Sequence, residues 1–341
     1  MIDLLVAGGG PAGLATAIHG ALAGLEVVVA EPRPTPIDKA CGEGLMPAGV
    51  RRLAELGVTV PGRPFHGIRY LDGVTGRHAE GRFRTGPGLG ARRTALQAAL
   101  ADRAAQLGVR VLPRRIDEVR QDPDSVSAAG LTARYLVAAD GLHSPVRREL
   151  GLTAPPVPGR AARYGLRRHY AVAPWSDCVE VHWAERAEAY VTPLGPDRIG
   201  VAVLTCEQAP FDVQLARFPL LSARLPAAPG APVRGAGPLR QRARVRVAGR
   251  VLFVGDAAGY VDALTGEGLT LAVTAAGELV RCVRAGRPQE YERAWRELSR
   301  SYRTLTASLL WARGQPPLAR RIVPLAARLP GVFTRLVNVL A

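Results

Sequence analysis

Residues 2–31 read IDLLVAGGGPAGLATAIHGALAGLEVVVAE, and the order of residue types in this stretch decides the fold. Ile2 to Val6 is a strand-like apolar run, and Ala12 to Ala23 reads as a helix. Between them Gly8, Gly10 and Gly13 form a GxGxxG fingerprint, with Pro11 and Ala12 leading into the helix. At such a strand-to-helix turn Gly8 allows the tight bend and Gly10 lets a pyrophosphate approach the backbone. Gly13 lets helix and strand pack closely. A second strand, Glu26 to Ala30, ends in Glu31, where a carboxylate can accept hydrogen bonds from an adenosine ribose. The stretch predicts a Rossmann-like α/β unit that binds a dinucleotide.

Two further glycine-rich motifs follow, DGLHSPVR at 140–147 and GDAAGYVDALTGEGL at 255–269. A strand ending in Gly255-Asp256 and followed by small residues presents one acceptor with no bulk beside it. Gly266, Glu267, Gly268 and Leu269 precede a helix-like segment, Thr270 to Val280, whose exposed first amides favour negative charge. Glu267 either caps that helix or lines a pocket.

The three motifs in this order resemble the FAD-dependent oxidoreductases of the p-hydroxybenzoate hydroxylase fold, a superfamily of flavin monooxygenases and geranylgeranyl reductases. The resemblance runs over residues 1–285, and CGEGL at 41–45 together with TGEGL at 265–269 is most similar to the reductase branch. It implies FAD as cofactor, with Asp256 on the ribityl chain, Gly255 in close approach, and Asp140 and Gly141 near the pyrophosphate. Arg33 and Arg93 join the adenosine and pyrophosphate side, Arg93 because RTAL resembles the family's helix start. Gly266, Gly268 and Leu269 would offer amides to the N1–C2 carbonyl edge of the flavin. Cys41 would sit beside the isoalloxazine ring, donating a proton or shaping the pocket; as a residue type it reads first as a small buried hydrophobe beside Gly42, ahead of a chemical role. Arg147 would be free to meet a phosphate or a visiting nicotinamide cofactor. Two positions depart from the reductase pattern: Ala263 replaces the usual proline, and YVTPLG at 190–195 lacks the branch's Trp and Phe.

The bulk properties narrow the class. At 341 residues and 48% hydrophobic, the chain can build real cores and more than one compact unit. The net charge of +16 comes almost wholly from arginine, with Lys39 the only lysine, which reads as compositional bias ahead of a polyanion-binding surface. No nucleic-acid module or interleaved aromatic pattern accompanies it, so no nucleic-acid partner is expected. Cys41, Cys178, Cys206 and Cys282 lack CxxC spacing, so neither a metal site nor a disulfide framework is expected. The absence of a long apolar run, and a core strand at the very start, predict a cytoplasmic protein without a signal peptide. Residues 281–341 hold 12 Arg against 3 Glu, and Leu318 to Leu340 mixes arginines with apolar residues. That segment can lie on an anionic membrane or pack on its own domain.

Period-two alternation at 66–83, Tyr164 to Tyr170, Cys178 to Trp183, Ala189 to Thr192 and Ile199 to Leu204 predicts an antiparallel sheet. The helix-like stretch Thr94 to Leu107 and the strands Val109 to Leu112, Leu136 to Ala139 and Val251 to Val254 belong with the cofactor unit. Expected boundaries are a discontinuous FAD-binding domain of residues 1–65, 90–158 and 239–287, a β-sheet substrate domain of 66–89 and 159–238, and a helical segment of 288–341 with Tyr291, Trp295, Leu298 and Tyr302 on one face. A Pro/Gly-rich stretch, 226–238, leads back from the sheet.

Two reactions on a small lipophilic substrate fit. An NAD(P)H-dependent hydroxylase ranks slightly ahead by analogy with the fold, and reduction of an isoprenoid C=C bond follows; a flavin-binding membrane-surface protein is the third reading. No second GxGxxG is present, so NAD(P)H would visit transiently, or another protein would reduce the flavin. His143 and Ser144 lack a GxSxG elbow, which sets hydrolysis aside. Oligomeric state is open.

Overall fold

In this computed structural model β1 (Ile2–Ala7), α1 (Pro11–Leu22) and β2 (Val27–Ala30) take up the opening stretch. β1 and β2 pair in parallel, from Leu4 opposite Val27 to Ala7 opposite Ala30. Both are buried almost throughout, as strands are when helices cover both faces of a parallel sheet. The structure describes residues 1–227, 231–339 and 341; positions 228–230 of the Pro/Gly-rich stretch, and Leu340 at the end of the basic segment, lie outside the described residues.

The chain continues through α2 (Pro47–Glu55), leaves for the hairpin β3 (Gly67–Asp72) and β4 (His78–Arg82), and returns by α3 (Arg93–Gln106), β5 (Arg110–Leu112) and β6 (Leu131–Ala138). It leaves again for β7 (Tyr164–Tyr170), β8 (Val179–Ala184), β9 (Ala187–Pro193) and β10 (Ile199–Thr205). It re-enters through β11 (Val251–Phe253) and α4 (Gly268–Arg284), and ends in α5 (Glu290–Arg313), α6 (Ile322–Arg328) and α7 (Pro330–Val339). The parallel core runs β5, β2, β1, β6, β11. Because Ala7 lies opposite Ala138 and Ala138 opposite Phe253, the turns after β1, β6 and β11 emerge side by side at one edge. That edge is where an open α/β sheet binds its ligand.

The second sheet has seven strands in the order Arg234–Ala236, β7, β10, β9, β8, β3, β4. Its pairs are antiparallel except β3 with β8, which run parallel. These two strands come from different excursions of the chain, so no tight turn forces them to oppose each other. Alternation sorts its residues: Tyr170, Ala189, Val191 and Val201 join Phe211 and Phe218 in a separate core on one face. The other face carries His169, Tyr190 and Thr192 toward the cofactor sheet.

Helix α5 does not stand apart. Tyr291 and Trp295 enter the main core, and the Tyr291 hydroxyl donates to the Phe253 carbonyl at 3.1 Å. Its buried face is Tyr291, Trp295, Ser299, Tyr302 and Thr306. Leu298, expected on this face, is exposed instead, because Ser299 occupies the inward position one full turn after Trp295. No single described helix is long and apolar enough to cross a membrane; the bent pair α6 and α7, meeting at 108°, passes that test of length and composition only together.

Candidate functional site

The glycine turn after β1 is built by close contact. Gly8 has φ +110°, and a Cβ there would lie 2.6 Å from the Ala139 carbonyl oxygen; at Gly13 it would lie 1.8 Å from the Gly8 carbonyl oxygen. At Gly10 a Cβ would meet nothing within 4 Å, so this one glycine faces open space. Gly10 is the N-cap of α1, with Pro11 following and no side-chain cap, so the first amides of the helix are left for a ligand. Gln97, on α3, secures the turn from behind by donating to the Gly9 carbonyl at 3.3 Å. The third motif touches the first, since a Cβ at Gly255 (φ +61°) would lie 2.6 Å from the Ala12 methyl carbon. Pro11, which opens α1, and Leu269, in the first turn of α4, line one apolar hollow with Leu45, Leu53 and Val273.

Glu31 is buried at the end of β2, and its four acceptor positions are all taken. Gly9 N–H (2.8 Å) and Arg33 Nη2 (2.8 Å) donate to Oε2, while Arg33 N–H (2.9 Å) and Nε (2.7 Å) donate to Oε1. Burial alone would raise this carboxyl; the Arg33 fork and the two amides bring it below the usual range. A ribose can reach Glu31 only when the half-exposed Arg33 turns outward.

Arg147 is a correction to the sequence expectation. It is fully buried, and its guanidinium donates to the carbonyls of Leu142 (2.8 Å), Asp256 (3.4 Å) and Ala257 (2.9 Å), to Gln241 Oε1 (3.3 Å) and to Thr153 Oγ1 (3.4 Å). With every N–H engaged it staples the second motif to the third and has none left for a phosphate or nicotinamide. Asp140 accepts from Val146 N–H at 3.0 Å, and burial raises its carboxyl despite those bonds. Burial likewise raises Asp256, against the pull of Arg93, Lys39 and Arg147. Lys39 Nζ would touch a Cβ at Gly141 at 3.0 Å. Burial and the neighbouring Arg33 and Arg93 push its ammonium below the usual lysine range.

Three buried polar atoms here lack any partner: Arg93 Nε, Asp140 Oδ1 and Glu267 Oε2. Arg93 belongs to the RTAL helix start, Asp140 to the second motif and Glu267 to the third. Buried polar atoms are normally satisfied, so this cluster of orphans beside an open glycine cradle, with cations on its rim, fits an extended diphosphate-bearing flavin nucleotide. Gly10 and the α1 amides would hold the pyrophosphate, Asp140 and Asp256 the polar linker, and the start of α4 the flavin edge.

Cys41 lies half-buried on the loop between β2 and α2. Glu43 N–H points at its sulfur at 3.4 Å, and burial pushes the thiol up, keeping it protonated. Glu43 itself has φ +59° and is buried. Its Oε1 accepts Arg93 N–H at 2.8 Å, and its Oε2 meets His169 Nε2 at 2.6 Å from 126 residues away. Arg167 Nη1 lies 3.3 Å from His169 Nδ1. Arginine can only donate, so Nδ1 accepts and Nε2 carries the proton given to Glu43. Arg167 also pairs with Asp38, which holds Arg234 at 3.0 Å. From the same sheet face Thr192 Oγ1 donates to the Gly42 carbonyl at 2.8 Å, and Tyr190 Oη to the Leu264 carbonyl at 3.0 Å. One strand thus grips the loops on both sides of the cleft. Sequence reasoning missed Gln97, Glu43, Arg167 and His169; a buried-length helix carrying Gln97 and a lone charged position within CGEGL were the available signals.

Glu267 precedes α4 but makes no side-chain capping bond, which removes the first of its two expected roles. Burial raises its carboxyl from 4.5 to about 7. An acid raised on folding loses stability as pH climbs: the penalty is absent below 4.5, grows through the interval and is complete above about 7. Glu267→Gln is therefore expected to make the ligand-free protein more stable above that range by about 1–2 kcal/mol, allowing for partial solvent screening, with no gain at low pH. Urea unfolding of the two proteins across this interval checks it.

Known proteins share this architecture. The chain is 29% identical over 328 residues to menaquinone reductase of Mycolicibacterium smegmatis, covering 86% of this chain and 79% of that protein. It is 28% identical over 337 residues to digeranylgeranylglycerophospholipid reductase 1 of Methanothermobacter thermautotrophicus, covering 87% and 82%. The structure of the flavin-dependent brominase Bmp2 superposes with a TM-score of 0.82 at 18% identity, over 99% of this chain and 93% of that one, which shows the common fold. Residues 1–198, more than half of the chain, match the FAD binding domain family. The chain belongs to that family and is an FAD-dependent oxidoreductase of the p-hydroxybenzoate hydroxylase-like superfamily.

Proposed function

We propose that the protein reduces a carbon–carbon double bond in a lipophilic, isoprenoid-like substrate, using NAD(P)H or another donor to recharge its FAD. The observation that carries this reading is Cys41: a protonated thiol, held by the Glu43 amide, on a loop fastened to both α3 and β9. When bound and reduced by that donor, the flavin would supply the hydride for one carbon of the double bond. The Cys41 thiol supplies the proton to the other, and the thiolate left behind regains its proton from solvent. Glu43, through Arg93 N–H and His169, keeps the loop in register with the glycine cradle. Val181, Trp183, Leu264 and Val323 form an apolar cluster next to the Tyr190–Leu264 contact, suited to a hydrocarbon chain and to excluding water.

The two curated relatives described above, each matched along most of its length, are both named reductases. This supports placing reduction ahead of hydroxylation, reversing the order taken from fold analogy. The deciding experiment incubates the purified flavoprotein with NADPH, a lipophilic extract and isotopically labelled oxygen, followed by mass spectrometry. A product that gains two hydrogens and no label supports reduction; a product carrying labelled oxygen overturns it. Cys41→Ser is expected to lower product formation by about 10²-fold or more while leaving chemical reduction of the bound flavin unchanged. An unaltered rate would remove the thiol from proton delivery.

A further inference from the structure

The C-terminal helices carry apolar residues on two faces, and among the described residues only one packs against the rest of the protein. Inward, Val323 packs with Val181, Trp183 and Leu264, and Phe333 and Val337 pack on Ala79. The tail is firmly seated: Asn338 Nδ2 donates to the Arg82 carbonyl at 2.8 Å, and its Oδ1 accepts Arg84 N–H at 2.8 Å. Outward, Trp311, Leu325, Leu329, Val332, Leu336 and Val339 are between 45% and 64% exposed. They are six of the thirteen large apolar side chains exposed among the described residues, and they are concentrated in the final stretch of a much larger surface. Leu329, Val332, Leu336 and Val339 recur at three- and four-residue steps, a continuous stripe beside the buried Phe333 and Val337.

Charge identifies what covers this stripe. Arg320 and Arg321, just before α6, Arg328 at its end and Arg335 on α7 are all exposed, and no acidic residue follows Glu297. A second copy docking face to face would set these arginines against their own equivalents, which is repulsive. An anionic lipid surface offers the opposite charge together with an apolar layer beneath it. The two helices do not make a straight span: α6 and α7 are roughly 10 and 15 Å long, against a hydrocarbon core of roughly 30 Å, and they bend by 108°.

We propose that α6 and α7, with Trp311, form an in-plane docking surface for an anionic phospholipid bilayer. The inner side of the same tail belongs to the apolar cluster that includes Leu264, so docking sets the bilayer against one wall of the cleft. If the reductase reading holds, a membrane-dissolved isoprenoid chain enters there without crossing water; the docking itself does not depend on that reading.

The test is flotation of the full-length flavoprotein with phosphatidylcholine vesicles, with and without phosphatidylglycerol, in the absence of any substrate. Binding to the anionic vesicles is expected, falling by about fivefold for each of Arg321, Arg328 and Arg335 replaced by Gln. The triple variant Leu329→Ser/Val332→Ser/Leu336→Ser is expected to stay unbound while keeping its flavin absorbance and melting temperature, since all three side chains are exposed. Failure of the unaltered protein to float overturns the proposal, as does undiminished flotation of the triple variant. So does light scattering that shows a dimer which the triple variant turns into a monomer. A failed vesicle assay leaves the product analysis untouched, and a failed product analysis leaves the vesicle result standing.

Discussion

Gly13→Ala is expected to yield little folded protein and none with bound flavin, whereas Gly10→Ala is expected to fold and still lose most of its flavin. The two glycines stand three residues apart in one fingerprint, yet they meet different neighbours. A methyl at Gly13 would lie 1.8 Å from the Gly8 carbonyl oxygen, a backbone atom that cannot move unless the β1 turn comes apart. Relieving it separates α1 from β1, and we expect a loss above about 4 kcal/mol. At Gly10 the methyl meets no protein atom within 4 Å. It projects into the space a pyrophosphate would use, so the cost falls on binding. Soluble yield, urea midpoint and flavin absorbance of the two variants separate the effects. A yellow, stable Gly13→Ala protein would show that the turn relaxes far more easily than its contacts imply.

The second large effect is expected at Arg163. This buried guanidinium donates to Asp262 Oδ2 at 2.9 Å and to Glu188 Oε2 at 2.8 Å, and both carboxylates are buried. Arg313, near the end of α5, joins them at Glu188. Asp262 also accepts Leu264 N–H at 3.1 Å, and its carbonyl receives the Tyr302 hydroxyl at 2.8 Å. The network therefore ties the sheet, the loop leading to Glu267 and helix α5 at a single point. Arg163→Met should cost about 3–5 kcal/mol, because Asp262 is left charged and unpaired in the interior. Arg163→Met/Asp262→Asn should recover much of that loss, since replacing both partners removes the stranded charge. Equal destabilisation of the single and double variants would mean that Arg163 contributes packing and not charge compensation.

The main elements of the fold were legible because their signals are local. The GxGxxG spacing needs only a turn that side chains cannot enter, and β7 spans Tyr164 to Tyr170, the stretch that its period-two pattern marks. The candidate site was legible as positions, less so as roles. Arg147 was readable as a free cation, and folding brings five acceptors around it. Glu31 was readable as a free acceptor, and Arg33 and Gly9 use all of its capacity. His169 and Glu43 carry no mutual signal across 126 residues, yet β7 delivers one to the other at 2.6 Å.

The same division holds at the end of the chain. Four-residue spacing marks Tyr291 and Trp295 as one face, but whether Leu298 or Ser299 continues it depends on where the helix rests against the core. Arginine and leucine alternate visibly after Leu318, while the sheet selects which apolar residues it covers and leaves the rest outward. Backbone turns and periodic patterns are properties of neighbouring residues, and the linear chain is enough to specify them. Which donor meets which acceptor, and which apolar face is left uncovered, depends on segments that approach only after folding, when each polar group bonds the nearest partner and each surface packs on whatever the topology sets beside it.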